Sequence, residues 1–296
     1  MKALPTLRQM QFLLALAKRK SFSQAAEDCL ISQSTLSSAI KELEKLLQCQ
    51  LVDRSTRTFA LTAAGTDTVQ RAAQIVALSE DLTRAVVNRS PLAGPFRLGV
   101  IPTVAPFLLP RATRKLNKAY PDLKLFLRED LSANLIDQLS NGALDAVLLA
   151  FPYDIPGADY IEIGEDAFWV AVPADHSLAS QKSVALKDLR KTNLLLLEDG
   201  HCLREHAIDA CGIRSEAADT FGATSLYTLA EMVRSGLGIT LLPQISINTG
   251  LTKISGLKTI PLKSPVPKRM IGIAWRKGSG RAEEAAAMAD VFRAQF

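Results

Sequence analysis

Ser21-Phe22-Ser23-Gln24-Ala25-Ala26, followed by Ser32-Gln33-Ser34-Thr35-Leu36-Ser37, decide the fold of the first part of this chain. A helix starting near Ser21 or Ser23 carries Ala25, Ala26 and Leu30. Ser32 fits the N-cap of the next helix, whose Leu36, Ile40, Leu43 and Leu47 fall on one inward face. Only Leu30-Ile31-Ser32 separates the two, and short helices joined by so tight a turn make a helix-turn-helix. Before them, Thr6 and Gln9 fit a capping box that opens a helix to about Arg19, with Leu7, Met10, Leu13, Leu14 and Ala17 as its apolar face. After them, Leu51–Leu61 has apolar ends around a polar, basic tip, which reads as a small hairpin, the wing of a winged helix. Thr62 then caps a long helix to about Asn88. Its stripe of Ala72, Ile75, Val76, Leu82 and Val86 suits a helical partner, and dimerisation is the expected use.

Ser90-Pro91-Leu92-Ala93-Gly94-Pro95 punctuates the chain. Beyond it, strands and helices alternate. Strands are expected at Phe96–Ile101, Lys124–Arg128, Asp145–Phe151, Glu165–Pro173, Leu194–Leu197 and Gly238–Leu242, and helices after Ile101, over Ser132–Asn141 and over Thr224–Ser235. Such alternation builds an α/β fold with parallel pairing. The expected organisation is a winged helix-turn-helix at 1–62, a linker helix at 63–90 and an effector domain at 91–296. The effector domain divides into two α/β subdomains, one of about 91–164 with 268–296 and the other of about 165–267, with a cleft between.

Charge agrees with that division. Residues 1–62 hold nine Lys/Arg against five Asp/Glu, whereas residues 91–296 hold 23 against 22, so a nucleic-acid partner is expected at the N-terminal end. No apolar run approaches the roughly 18 residues of a membrane span, and Lys18-Arg19-Lys20 stands where a signal cleavage site would be, which favours the cytoplasm. Four cysteines, Cys29, Cys49, Cys202 and Cys211, do not make a disulfide scaffold in a chain of 296 residues. They leave open a reactive thiol, a redox pair, a metal site or inert packing.

The two opening stretches, together with Ile40, Leu43-Glu44 and Leu61-Thr62-Ala63-Ala64-Gly65, resemble the winged helix of LysR-type transcriptional regulators. The remainder resembles that family's effector domain, which is built like periplasmic binding proteins. Within the family, Glu198-Asp199-Gly200-His201-Cys202-Leu203-Arg204-Glu205 followed by Cys211 is similar to the OxyR-like peroxide sensors, as are Ile101–Pro106, Ala223–Leu226, Gly238–Pro243 and Ala274-Trp275-Arg276. The resemblance implies that hydrogen peroxide is the signal, that Cys202 is the peroxidatic thiol and that a Cys202–Cys211 disulfide forms in the active state. It further implies a peroxide pocket lined by Thr103, His201 and Arg276, a homotetramer built as a dimer of dimers, promoter DNA and RNA polymerase as partners, and no cofactor, metal or enzymatic turnover.

The residues themselves support part of this. Cys202 follows an expected strand and opens an expected helix, where the helix dipole lowers a thiol pKa. A thiolate attacks peroxide, Arg276 would stabilise the charge, Thr103 could hold the peroxide, and the sulfenic acid product condenses with a nearby thiol such as Cys211. If 203–210 is helical, nine residues at ~1.5 Å rise place the two Cα atoms roughly 13 Å apart, whereas a disulfide needs roughly 4.4–6.8 Å. Oxidation would then have to unwind the helix. Three other readings stay open. Zinc on His201, Cys202, His206 and Cys211 would need that helix broken. A thiol peroxidase would have no use for a winged helix. A LysR-type regulator of a small anionic metabolite would leave Cys202 unreactive.

For DNA, the helix from Ser32 is expected in the major groove, with Gln33, Ser34, Thr35, Ser37 and Ser38 near its exposed N-terminal end and Lys41 further on. Lys41, Arg54 and Arg57 suit phosphates or a minor-groove contact by the wing.

Overall fold

The structure, a computed structural model, describes residues 4–53, 59–86, 91–189, 192–211 and 222–296, with backbone alone at 84–86 and 210–211. It divides into two compact units that part near Asn88.

The N-terminal unit contains α1 (Leu7–Arg19), α2 (Phe22–Asp28), α3 (Gln33–Leu47), the strands β1 (Val52–Asp53) and β2 (Ala60–Leu61), and α4 (Ala63–Val86). Each of the first three helices starts on a side-chain cap. Thr6 and Gln9 form the capping box of α1, Ser21 accepts from Gln24 N, and Ser32 accepts from Thr35 N. Phe12, Leu13, Leu16, Ala25, Ala26, Leu36, Ile40, Leu43, Leu51 and Val52 make one core. Arg19 clamps Asp28 with two hydrogen bonds of 2.6 and 2.7 Å, fixing the end of α1 to the end of α2. Glu44 accepts the amides of Leu51 and Val52 at 2.9 and 3.2 Å, which sets where the antiparallel pair β1–β2 leaves α3. Thr62 caps α4 through Gly65 N at 2.9 Å. Gly65 itself has to be glycine, because a Cβ there would lie 2.0 Å from the Leu51 carbonyl oxygen.

Three apolar faces differ from expectation. The core side of α1 is Phe12, Leu13 and Leu16, while Leu7 is exposed; Leu47 at the end of α3 is exposed as well. In α4 the expected stripe splits. Ala72 and Val76 are buried, whereas Ile75 and Leu82, joined by Leu78, are exposed at helical spacing. The side chain of Val86 lies outside the described residues, as do Arg54 and Arg57 in the wing.

The second unit contains β3 (Gly94–Val100), α5 (Ala105–Ala119), β4 (Leu123–Glu129), α6 (Ser132–Ser140), β5 (Ala146–Phe151), β6 (Ala158–Val172), α7 (Leu186–Leu189), β7 (Leu196–Leu197), α8 (Cys202–Cys211), β8 (Gly222–Ala223), α9 (Leu226–Arg234), β9 (Thr240–Pro243), α10 (Gln244–Asn248), α11 (Leu251–Ile254), β10 (Lys258–Pro261), β11 (Lys268–Arg276) and α12 (Ala282–Arg293). β3 pairs in parallel with β4 and β5, and β11 runs antiparallel between β5 and β6. The expected strand at Glu165–Pro173 is the second half of a 15-residue β6. Its first part pairs β11, and from Phe168 onward it is flanked by β9 and β10. The α/β unit therefore has two sheet regions joined through one long strand, with β11 crossing beside it. The short parallel pair β7–β8 forms a sheet of its own, with β7 just before α8 and β8 after it in the chain.

Candidate functional site

The thiol sits at the junction of the two sheet regions. Cys202 opens α8 five residues after β7 ends, and Arg204 fixes that turn. Its buried guanidinium donates to the Leu197 carbonyl at 3.1 Å and pairs with Asp199 at 2.8 Å. Cys202 is 4% exposed. It lines a small crevice with Ile101, Pro102 and Thr103 after β3, Leu131 and Ser132 at the start of α6, and Gly200 and His201. Strand ends and helix starts converge here, as α/β folds place their sites.

The cation of this crevice is Arg269, not Arg276. Arg269 lies near the start of β11 with its side chain fully buried, and it stands in register with Asp166 on β6. It binds the Asp166 carboxylate through Nε at 3.0 Å, and the second Asp166 oxygen accepts the Ile245 amide at 3.0 Å. Nη2 pairs with the Asp166 oxygen that Nε binds, at 2.9 Å, and also donates to the Thr103 carbonyl at 3.2 Å, while Nη1 donates to Thr103 Oγ1 at 2.9 Å. Because Arg269 donates to Thr103 Oγ1, the hydroxyl hydrogen of Thr103 is left to point elsewhere, so Thr103 can donate to a guest in the crevice. Arg276 is at the opposite end of β11. There it donates to the carbonyls of Leu139 and Leu144, both at 2.9 Å, and ties the end of α6 to the start of β5. The expected placement of Arg276 in the pocket is therefore corrected: seven residues along a strand carry a side chain more than 20 Å away, at ~3.3 Å per residue.

Thr103, His201 and Cys202 do come together as expected. The expected low thiol pKa does not hold. Burial raises the Cys202 pKa above its ordinary value, and the Arg269 charge, the Ser132 hydroxyl and the Leu203 amide only offset this in part. Desolvation outweighs the partial charge of the helix start. Ser132 lines the same crevice with a buried Oγ that has no hydrogen-bond partner, and its hydroxyl favours the ionised sulfur. Burial holds His201 neutral, lowering its pKa against a smaller opposing effect of Glu198. The sequence reading missed Arg269, Asp166 and Ser132. The one available signal was a charged residue, Arg269, just ahead of the apolar run Met270–Trp275.

α8 spans both Cys202 and Cys211, so the helix that was a condition of the distance argument is present. The Cys211 side chain lies outside the described residues. No cluster of three or more His, Cys, Asp or Glu suited to a metal ion occurs among the described residues. None of their helices is long and apolar enough to cross a membrane.

On α3, Gln33, Ser34, Thr35, Ser38 and Lys41 are exposed and Ser37 is half-buried. Three of the six are already engaged. Ser34 and Thr35 share hydroxyl contacts with the Ser32 cap at 2.9 and 2.7 Å, and Gln33 Oε1 accepts from Ser23 at 3.0 Å. Gln33 thus presents its amide N–H groups.

Two family models cover most of the chain: the bacterial regulatory helix-turn-helix protein of the lysR family at residues 7–66, and the LysR substrate binding domain at residues 89–296. The chain is 38% identical to the HTH-type transcriptional regulator EstR of Acinetobacter baylyi over 295 residues, covering 99% of this chain and 98% of that one. It is 38% identical to a probable hydrogen peroxide-inducible genes activator of Streptomyces viridosporus over 292 residues, covering 98% and 94%. Among solved structures, a full-length OxyR variant of Pseudomonas aeruginosa matches with a TM-score of 0.81 at 30% identity, covering 98% of each chain. With a capped helix-turn-helix, a wing and a two-region α/β domain in the matching order, the chain belongs to the LysR family of DNA-binding transcriptional regulators.

Proposed function

We propose that this chain is a peroxide-responsive regulator in which hydrogen peroxide oxidises Cys202. The observation that carries the reading is the buried thiol facing a Thr103 hydroxyl that a fully buried Arg269 holds. Arg269 and Thr103 supply a positive charge and a hydrogen-bond donor beside a buried crevice, where both act strongly on the charge that develops as the O–O bond breaks. Cys202 becomes a sulfenic acid and peroxide becomes water; condensation with Cys211 then forms a disulfide and a second water. Helix α8 separates the two Cα atoms by roughly 13 Å at ~1.5 Å per residue, so the disulfide requires α8 to unwind. Unwinding remodels the surface around α8, and paired subunits transmit the change to their winged helices. The exposed Ile75, Leu78 and Leu82 supply the dimer contact on α4. Gln33, Ser34, Thr35, Ser37, Ser38 and Lys41 read the promoter, with Arg54 and Arg57 on its backbone, and a dimer of dimers engages RNA polymerase.

A second reading, a LysR-type regulator that responds to a small anionic metabolite in the effector cleft, draws on the raised thiol pKa. Footprinting on a target promoter separates the two. Peroxide should alter the wild-type footprint and leave that of Cys202→Ser unchanged, with equal DNA affinity in the reduced state. A Cys202→Ser footprint that still responds to peroxide would exclude thiol sensing at this site.

A further inference from the structure

Side chains along β11 alternate between the two faces of the sheet. Arg269 points toward Thr103 and the crevice of Cys202, so Lys268 and Met270 point to the opposite face. The antiparallel register extends that second face onto both neighbouring strands. Met270 stands opposite Phe151 of β5 and Glu165 of β6, Gly272 opposite Glu162, and Ala274 opposite Tyr160. The register shifts between Ile271 and Gly272, where β6 holds one extra residue, so Glu162 and Glu165 share a face although they are three apart. Gly272 leaves room for an aromatic ring, since a Cβ on it would lie 2.8 Å from the Phe151 ring. Phe151 lies over the strand there and stacks on Tyr160, with ring centroids 4.5 Å and planes 21° apart. Tyr160 is 53% exposed, so part of its ring faces solvent. Tyr153 and Asp154, from the segment after β5, complete a groove of about 630 Å³ on this face.

That volume falls within the roughly 300–1,000 Å³ of small-molecule sites and exceeds what a bare ion fills. Charge decides the class of guest. Two cations border the groove, and each is already matched: Lys268 pairs with Glu165, and Arg269 with Asp166. Two carboxylates, Asp154 and Glu162, border it as well and form no ion pair among the described residues. The groove is therefore negative, and its apolar wall is built largely of aromatic rings, whose faces are themselves electron-rich. Both features attract a cation and repel an anion. We propose that this groove binds a small organic cation, a protonated or quaternary amine with an apolar body. The ammonium group lies over the Tyr160 ring beside Asp154 and Glu162, and the apolar body rests on Phe151 and Met270. Cys202 has no part in the site, so it stands or falls apart from peroxide sensing.

Ligand-observed NMR titrations of the reduced full-length protein with benzyltrimethylammonium, benzyl alcohol and phenylacetate test this, because the three share a benzyl body and differ in charge. The cation should saturate with a Kd of about 1 mM, benzyl alcohol should bind about fivefold more weakly, and phenylacetate should not saturate. Tyr160→Leu keeps an apolar side chain and removes the ring, and should weaken the cation about 2–5-fold. Asp154→Asn with Glu162→Gln keeps the shape and removes both charges. That variant should bind the cation about tenfold more weakly and lose most of the salt dependence of binding. Thermal melting and light scattering of the variants check folding and assembly. Phenylacetate binding as tightly as the cation, no saturation by the cation below about 10 mM, or wild-type affinity in both variants would overturn the proposal. Variants that change the mass of the assembly while keeping the cation affinity would make this face a subunit contact and overturn it equally.

Discussion

The two ends of strand β11 carry buried arginines with opposite uses. Arg269 spends its donors on an aspartate and on Thr103, beside a thiol, and concentrates charge where a reaction can use it. Arg276 spends donors on two main-chain carbonyls, Leu139 and Leu144, and holds a loop. Residue type, burial and strand are the same, so in the proposed reading it is the partners that would separate a chemical arginine from a structural one. Charge next to a hydroxyl and a sulfur acts on an incoming ligand, whereas charge shared among carbonyls stabilises backbone.

The sharpest way to break that contrast is Arg269→Ala. Removing it should slow oxidation of Cys202 by about 10²–10³-fold. Because Asp166 would be left buried without its counter-charge, the single variant should also lose about 3–5 kcal/mol of stability in a denaturant titration. Arg269→Ala with Asp166→Asn should recover part of the stability but none of the rate, which separates the two effects. Recovery of rate in the double variant would mean that Arg269 acts only by holding the fold.

A smaller effect is expected at Thr103→Val, which keeps the shape and removes the hydroxyl. One hydrogen bond of about 1–1.5 kcal/mol in the transition state corresponds to roughly a tenfold slower oxidation. Wild-type kinetics would leave Thr103 as a strut for Arg269. The smallest effect on the rate is expected at Arg276→Met: none within error, with a stability loss of about 1–3 kcal/mol from unmet carbonyls. A large kinetic defect in that variant with normal stability would restore Arg276 to the site and undo the contrast.

How far the sequence could be read follows from the range of the interactions. The helix-turn-helix rests on contacts a few residues apart, such as Ser32 with Thr35 and Thr6 with Gln9, and those spacings are visible in the text of the chain. Cys202 was legible from its place between a strand end and a helix start, whereas His201 and Thr103 came from the family resemblance. Arg269 was not legible, since it meets its partners 103 and 166 residues away, and no periodicity encodes which inward position of a strand covered on both sides faces a crevice. The first half of β6, before Glu165, was not read from the sequence; there Gly164 lies where the Phe296 ring packs so close that a Cβ would meet it at 2.9 Å, a contact 132 residues away along the chain. The thiol pKa was misjudged for a related reason: a helix start is local and readable, while the 4% exposure that outweighs it is a property of the assembled domain.

The most direct measurement is peptide mass spectrometry of the reduced full-length protein after brief exposure to limiting hydrogen peroxide. Cys202 should be the first cysteine modified, as a trapped sulfenic acid, and a Cys202–Cys211 disulfide peptide should follow as that adduct declines. Oxidation appearing first on Cys29 or Cys49, with Cys202 still a free thiol, would contradict the account.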